Sequence, residues 1–175
     1  MIFYQQSIYM KIYTQNKQRE YFMVLKIYID TSIVGGYFDD EFADDTKALF
    51  NRLKNKEIIF LISSVLQQEL RKAPENVRDL LGKFDKSCFE QIKLTKEAIE
   101  LADGYIKEKV VGKTSIDDCR HIALATINKA DVLASWNFKH IVNLNRIKGY
   151  NGVNLKHGYS VIEIRTPKEL LNYEK

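Results

Sequence analysis

The sequence predicts an α/β domain: a parallel sheet covered by helices on both faces. Three observations lead there. Short, continuously apolar segments rich in β-branched residues, such as IYI and IIFLI, recur along the chain. Runs fully buried on both faces of a parallel sheet have this composition. Amphipathic helical segments separate them, the alternation that produces a layered fold. The length of 175 residues, with 45% hydrophobic and 29% charged residues, suits one globular domain of ordinary composition.

The elements follow in order. Residues 1–22 resemble no targeting segment, because Lys11 interrupts their apolar stretch. They are expected to form a loosely attached extension before a domain spanning 23–175, with Met23 as an alternative start. LKIYID (25–30) is the first buried strand, ending in an acid. Residues 31–45 are expected to be a long loop. ADDTKALFNRLKNK (43–56) is a helix with acids in its first turn and bases in its last, as the helix dipole favours. IIFLIS (58–63) is the second strand, and Ser64 is placed to cap a helix over 65–72. Pro74 suits the first turn of a helix over 74–84. FEQIKL (89–94) is extended, and Thr95 precedes a helix over 96–110.

SIDDCRHIALATINKA (115–130) carries Ile116, Cys119, Ala123 and Ile127 at helical spacing, and DVLASW (131–136) is a third buried strand. Residues 146–159, with three glycines among them, are expected to form a second long loop. The chain closes with a strand and a helix opened by a capping box, Thr166 with Glu169, behind Pro167.

Composition excludes several classes. No apolar run approaches the ~20 residues of a membrane helix. Two cysteines, Cys88 and Cys119, make no disulfide framework, so a reducing, cytoplasmic location is expected. The net charge of +4 gives no strong case for nucleic acid, but its distribution is uneven. Asp30 to Asp45 hold six acids and no base; Lys139 to Arg165 hold five bases and one acid. Such zones suit a metal site beside a polyanion groove, or merely two solvated faces.

In open parallel sheets, ligands bind beyond the carboxyl ends of the strands. The first strand delivers Asp30, Thr31 and Ser32 there. The second delivers Ser63, then Glu69 on the helix it feeds; the third delivers Ser135, Trp136 and Asn137, behind a helix carrying Asp117 and Asp118. Each also has a plain structural reading: Asp30 as a cap, Glu69 as a solvated helix residue, Asp118 as part of a capping box with Ser115, and Asn137 as a turn residue. Cys119 reads as core, and His121 as a packed neighbour of the acids. Two carboxylates ~4 Å apart repel by about 4 kcal/mol at an effective dielectric of ~20. Three together require protons or a cation, and all-oxygen ligands suit Mg²⁺ or Mn²⁺ rather than zinc. Such ions serve phosphoryl chemistry by activating water. No phosphate loop, GxGxxG or GxSxG motif is present, and DTS in place of DxD disfavours an aspartyl-phosphate phosphatase.

Four blocks carry a family resemblance: IYIDTS around Asp30, SSVLQQEL around Glu69, SIDDCRHIALAT around Asp118, and ADVLASWNFKHIVN around Asn137. Their order and spacing from about Leu25 to Leu171 resemble the PIN-domain family, and within it the VapC-type toxins. The resemblance implies a three-layer α/β/α sandwich and a Mg²⁺- or Mn²⁺-dependent endoribonuclease, with Asp30, Glu69 and Asp118 as metal-holding acids. Asn137 stands where the family often has Asp, which removes one charge and bears on a second metal. The alternative is a catalytically weak PIN fold that binds RNA or protein. Thr31, Ser32 and Ser135 would supply hydroxyls around the acids, and Lys139, Arg146 and Lys148 would track an RNA backbone. Trp136 and Tyr150 are candidates for base stacking or for the core. The family also implies a homodimer and an antitoxin partner, as in a toxin–antitoxin pair.

Overall fold

The computed structural model describes residues 24–172, so the expectation for residues 1–22 falls outside the described residues. Five strands form one sheet in the order β3-β2-β1-β4-β5: β1 (Leu25–Ile29), β2 (Ile58–Ser63), β3 (Phe89–Ile92), β4 (Val132–Ala134) and β5 (Ile164–Arg165). Each neighbouring pair is parallel. Between them lie α1 (Thr31–Gly36), α2 (Ala43–Lys54), α3 (Ser64–Leu70), α4 (Glu75–Arg78), α5 (Lys96–Lys107), α6 (Ile116–Ile127) and α7 (Leu144–Lys156), and α8 (Pro167–Asn172) follows β5.

The pleat sorts the apolar strands into two cores. Ile27, Ile29, Phe60, Ile62, Val132 and Ala134 face α1, α2 and the apolar side of α3 (Leu66, Leu70). Tyr28, Leu61, Leu133 and Ile164 face α5, α6 and α7. The register sets like with like: Ile27 stands opposite Phe60 and Val132, and Tyr28 opposite Leu61 and Leu133. The molecule is therefore a three-layer α/β/α sandwich. Among the described residues no helix is long and apolar enough to cross a membrane.

Several local expectations are corrected. Residues 31–45 are not one long loop. Asp30 accepts from the backbone N–H groups of Ser32 and Ile33, which nucleates α1, and Ile33 and Val34 anchor that helix in the core. Residues 146–159 are mostly helix. In α7, Tyr150, Val153 and Asn154 are buried. Gly149 serves packing rather than flexibility, since a Cβ there would lie 2.7 Å from Val110 Cγ1. The helix expected over 74–84 is only the single turn of α4 followed by a short 3-10 turn. The cap of α3 is Ser63, whose Oγ accepts from Leu66 N at 3.0 Å, while Ser64 Oγ accepts from Leu94 N. The Thr166–Glu169 capping box forms as expected, with reciprocal bonds of 2.8 Å and 3.2 Å.

Candidate active site

The order of strands reverses at β1. The chain runs outward through β2 and β3, then returns to place β4 on the other side of β1. The crevice between the carboxyl ends of β1 and β4 is thus the switch point of the sheet. Asp30 follows β1 and Ser135 follows β4, and Ser135 Oγ donates to Asp30 Oδ2 at 2.6 Å across that crevice. The other carboxylate oxygen of Asp30 accepts from Ser32 N (3.1 Å), Ser32 Oγ (2.5 Å) and Ile33 N (3.3 Å). Asp30 is buried. Burial raises its pKa, against the opposing pull of His121 and of the hydroxyl and amide donors.

Glu69 approaches from α3. Its Oε2 accepts a close hydrogen bond from Thr31 Oγ1 and lies 3.1 Å from Nε2 of His121 on α6. Burial pushes the Glu69 carboxyl up, but the hydrogen bond and charge of His121, the Thr31 hydroxyl and the Lys72 cation outweigh it, so its pKa falls below the usual value. His121 shows the reciprocal effect. Burial lowers its pKa, yet the Glu69 bond and the charges of Asp30, Glu69 and Asp118 together raise it.

Asp118 comes from the first turn of α6, and its Oδ1 accepts from Asn137 Nδ2 at 2.9 Å. Ser115 makes no side-chain cap, so the capping-box reading of Asp118 does not hold. Burial raises the Asp118 pKa, and the charges of Asp30 and Glu69 add to the rise against His140 and His121. Asn137 is bound at both ends of its amide, since its Oδ1 accepts from His140 N at 3.0 Å while its Nδ2 faces Asp118.

Asp30 and Glu69, distant in sequence, therefore each press electrostatically on Asp118 from separate elements. Oxygen donors of this kind match a hard divalent cation in chemistry and in charge. Their present positions are those of a protein-bonded network: among the described residues no three His, Cys, Asp or Glu side chains stand close enough to hold one ion.

The remaining candidates separate. Thr31, Ser32 and Ser135 all touch the acids. Lys139 and Lys148 are exposed, whereas Arg146 turns Nη1 to the Val110 carbonyl at 2.8 Å. Trp136 and Tyr150 are not stacking platforms: Trp136 stacks on Phe42 and bonds Thr46, and Tyr150 is fully buried with its hydroxyl on the His140 carbonyl. Of the acids between 30 and 45 only Asp30 enters the crevice, while Asp39, Asp40, Glu41 and Asp44 are exposed. Burial pushes the Cys119 thiol up to about 12, with Asp118 adding to it, so Cys119 is no nucleophile at neutral pH.

Sequence reasoning missed Tyr28 and Lys72, and placed Ser63 at this edge without its bond to Tyr28. The signal for Tyr28 was available, because a residue two before Asp30 shares its side of the strand. Its hydroxyl lies 2.8 Å from Ser63 Oγ and 2.7 Å from His121 Nδ1.

Neither a family model nor a curated protein sequence matches the chain. Solved structures do. A chain of the DNA-bound VapBC complex from Salmonella typhimurium aligns with TM-score 0.52 and 16% identity over 82% of this chain and 99% of that one. A chain of VapBC2 from Rickettsia felis bound to a promoter DNA fragment gives TM-score 0.47 and 16% identity, covering 81% and 98%. A chain of FitAB bound to the IR36 DNA fragment gives 0.48 and 11%, covering 81% and 94%. The all-parallel five-stranded sandwich and the Salmonella likeness together show that this chain has the PIN-like α/β/α fold.

Proposed function

We propose that the chain is a Mg²⁺- or Mn²⁺-dependent endoribonuclease and the toxin half of a toxin–antitoxin pair. The observation that carries this reading is that Asp30, Glu69 and Asp118 are brought to the switch-point edge from three elements, the Asp118 pKa being raised by burial first and by the charges of Asp30 and Glu69 in addition. Asp30 and Asp118 would hold the ion, with Glu69 beside them. A divalent ion supplies Lewis-acid activation of water and neutralises charge on a phosphodiester. The protein's own groups do the rest. Ser32 and Ser135 orient the Asp30 oxygens, Thr31 and His121 orient Glu69, and exposed Lys139 and Lys148 track the phosphates. The fold shared with a chain of a VapBC complex supports an antitoxin-like partner. A homodimer remains part of the proposal through the family resemblance alone.

A second reading has its own observation. Asn137 donates an amide proton to Asp118 where a further acid would compete for a cation. That arrangement favours a PIN fold that binds RNA or protein and cuts slowly or not at all.

One experiment separates them. The full chain and Asp30→Asn are incubated with single-stranded RNA, structured RNA and single-stranded DNA, in Mn²⁺ or in EDTA. Cleavage of RNA in Mn²⁺, lost in EDTA and in the variant, is expected. RNA retained without cleavage selects the second reading. Cleavage unchanged in EDTA or in Asp30→Asn overturns the metal-dependent mechanism. Preference for DNA overturns the substrate class.

A further inference from the structure

Glu69 is only half-buried, with a third of its side chain open to solvent (32%). A glutamate so placed on a helix surface ordinarily samples several rotamers. Here it is met by a buried chain of side chains that begins at the N-cap of its own helix and ends on that helix. Ser63 Oγ caps the start of α3 through Leu66 N (3.0 Å) and also pairs with the Tyr28 hydroxyl (2.8 Å). That hydroxyl reaches Nδ1 of His121 (2.7 Å), and the two rings meet edge to face at 5.7 Å and 70°. The far nitrogen of the imidazole, Nε2, lies 3.1 Å from Glu69 Oε2. Ser63, Tyr28 and His121 are all buried. The chain thus ties β1 and α6 to both ends of α3 and leaves the imidazole little freedom to turn.

We propose that Tyr28 and His121 are positioning residues: the Tyr28 hydroxyl, held by Ser63, fixes the His121 ring so that Nε2 keeps Glu69 directed at Asp30 and Asp118. Its relevance to cation binding rests on the function proposed above, while the geometric claim concerns Glu69 alone. Partners that orient metal-holding carboxylates alter metal affinity by about 10- to 100-fold when removed.

Tyr28→Phe is the cleanest probe, since it removes one hydroxyl and keeps the ring in the core. His121→Gln is the second variant, because a glutamine Nε2 can still donate to Glu69 after the contact with Tyr28 is gone. His121→Ala removes both contacts. Side-chain NMR couplings of Glu69 are measured in the metal-free protein, and Mn²⁺ affinity is measured by calorimetry. One dominant Glu69 rotamer is expected in the wild type, averaging in Tyr28→Phe and His121→Ala, and partial recovery in His121→Gln. Mn²⁺ affinity falls roughly 10-fold in Tyr28→Phe. In a Glu69→Gln background the same substitution has no further effect, because it acts only through that carboxylate. A merely structural role lowers the melting temperature in both backgrounds and leaves the couplings unchanged. Retention of one Glu69 rotamer in Tyr28→Phe and His121→Ala overturns the proposal. A wild type that binds no Mn²⁺ overturns the cation reading, while the couplings still judge the positioning.

Discussion

Asn137→Asp places a carboxylate oxygen where an amide nitrogen now donates to Asp118 Oδ1 at 2.9 Å. Aspartate has nearly the shape of asparagine, and its other oxygen can keep the bond from His140 N. Two charges ~3 Å apart repel by roughly 5 to 6 kcal/mol at an effective dielectric of ~20. Proton uptake limits the penalty. Holding a proton above the ordinary carboxylate pKa requires about 1.36 kcal/mol per pH unit, which caps the loss near ~5 kcal/mol at pH 7.5 and ~1.5 kcal/mol at pH 5. Water at the half-buried pair screens it further, leaving roughly 1 to 3 kcal/mol at pH 7.5. For a chain of this size that lowers the melting temperature by about 3 to 10 °C. The sign is set by Asp118, whose pKa is already raised by burial and then by Asp30 and Glu69. An added charge raises it more, and an acid with a raised folded pKa loses stability as pH climbs from its unfolded value through its folded one. The gap between variant and wild type therefore opens on going from pH 5 to 7.5. Thermal melts in EDTA across that range measure it, and melts with Mn²⁺ test whether a cation restores more stability to the variant than to the wild type. A variant that melts with the wild type at pH 7.5 in EDTA, or a gap that does not narrow at pH 5, refutes the crowding of these groups.

Other outcomes follow from the same geometry. Asp30→Asn keeps the cap of α1 and can donate to Ser135 Oγ, so in EDTA it melts higher than wild type. Burial raises the Asp30 pKa, so that advantage grows as pH rises above the ordinary aspartate range and shrinks toward acid, as melts across pH will show. Lys56, Lys109 and Lys129 hold φ values of 61°, 59° and 50° just past α2, α5 and α6, a conformation that disfavours side chains with a Cβ. Each Lys→Gly change there stabilises by about 0.5 to 1 kcal/mol in urea titrations. Gly36→Ala sets a Cβ 2.8 Å from Trp136 Cδ1 and 3.1 Å from Thr46 Oγ1, both buried, so it destabilises by about 1 to 3 kcal/mol by the same measurement.

The layered fold was legible because its signal is local. Apolar runs such as IIFLIS are too short for helices and too uniform for one-sided strands, and amphipathic segments such as 43–56 and 96–110 alternate with them. The capping box at Thr166 was legible for the same reason, since it bonds within one turn of itself, whereas the cap of α3 fell one residue earlier than expected, at Ser63. Local signals failed where packing overrode propensity. Residues 31–45 and 146–159 were expected as loops, yet Gly36 ends the short helix α1 and Gly149 lies inside the 13-residue α7, where they allow the close approach of Trp136 and Val110. Topology sends strand ends to one edge, which made Asp30, Glu69 and the Asp117–Asp118 pair candidates by position, and the family resemblance selected Asp118 from that pair.

Sequence by itself determined the α/β layering, the direction in which the strands deliver their ends, and the residue types available at that edge. Tertiary structure alone decided how those residues bond. It engaged both ends of the Asn137 amide, buried Trp136 and Tyr150, turned Arg146 to a backbone carbonyl, and placed Tyr28 and His121 behind Glu69. The physical reason is range. Hydrophobic periodicity acts over a few residues, whereas a hydrogen bond between side chains 93 positions apart, as for Tyr28 and His121, exists only once the sheet and its helices have packed.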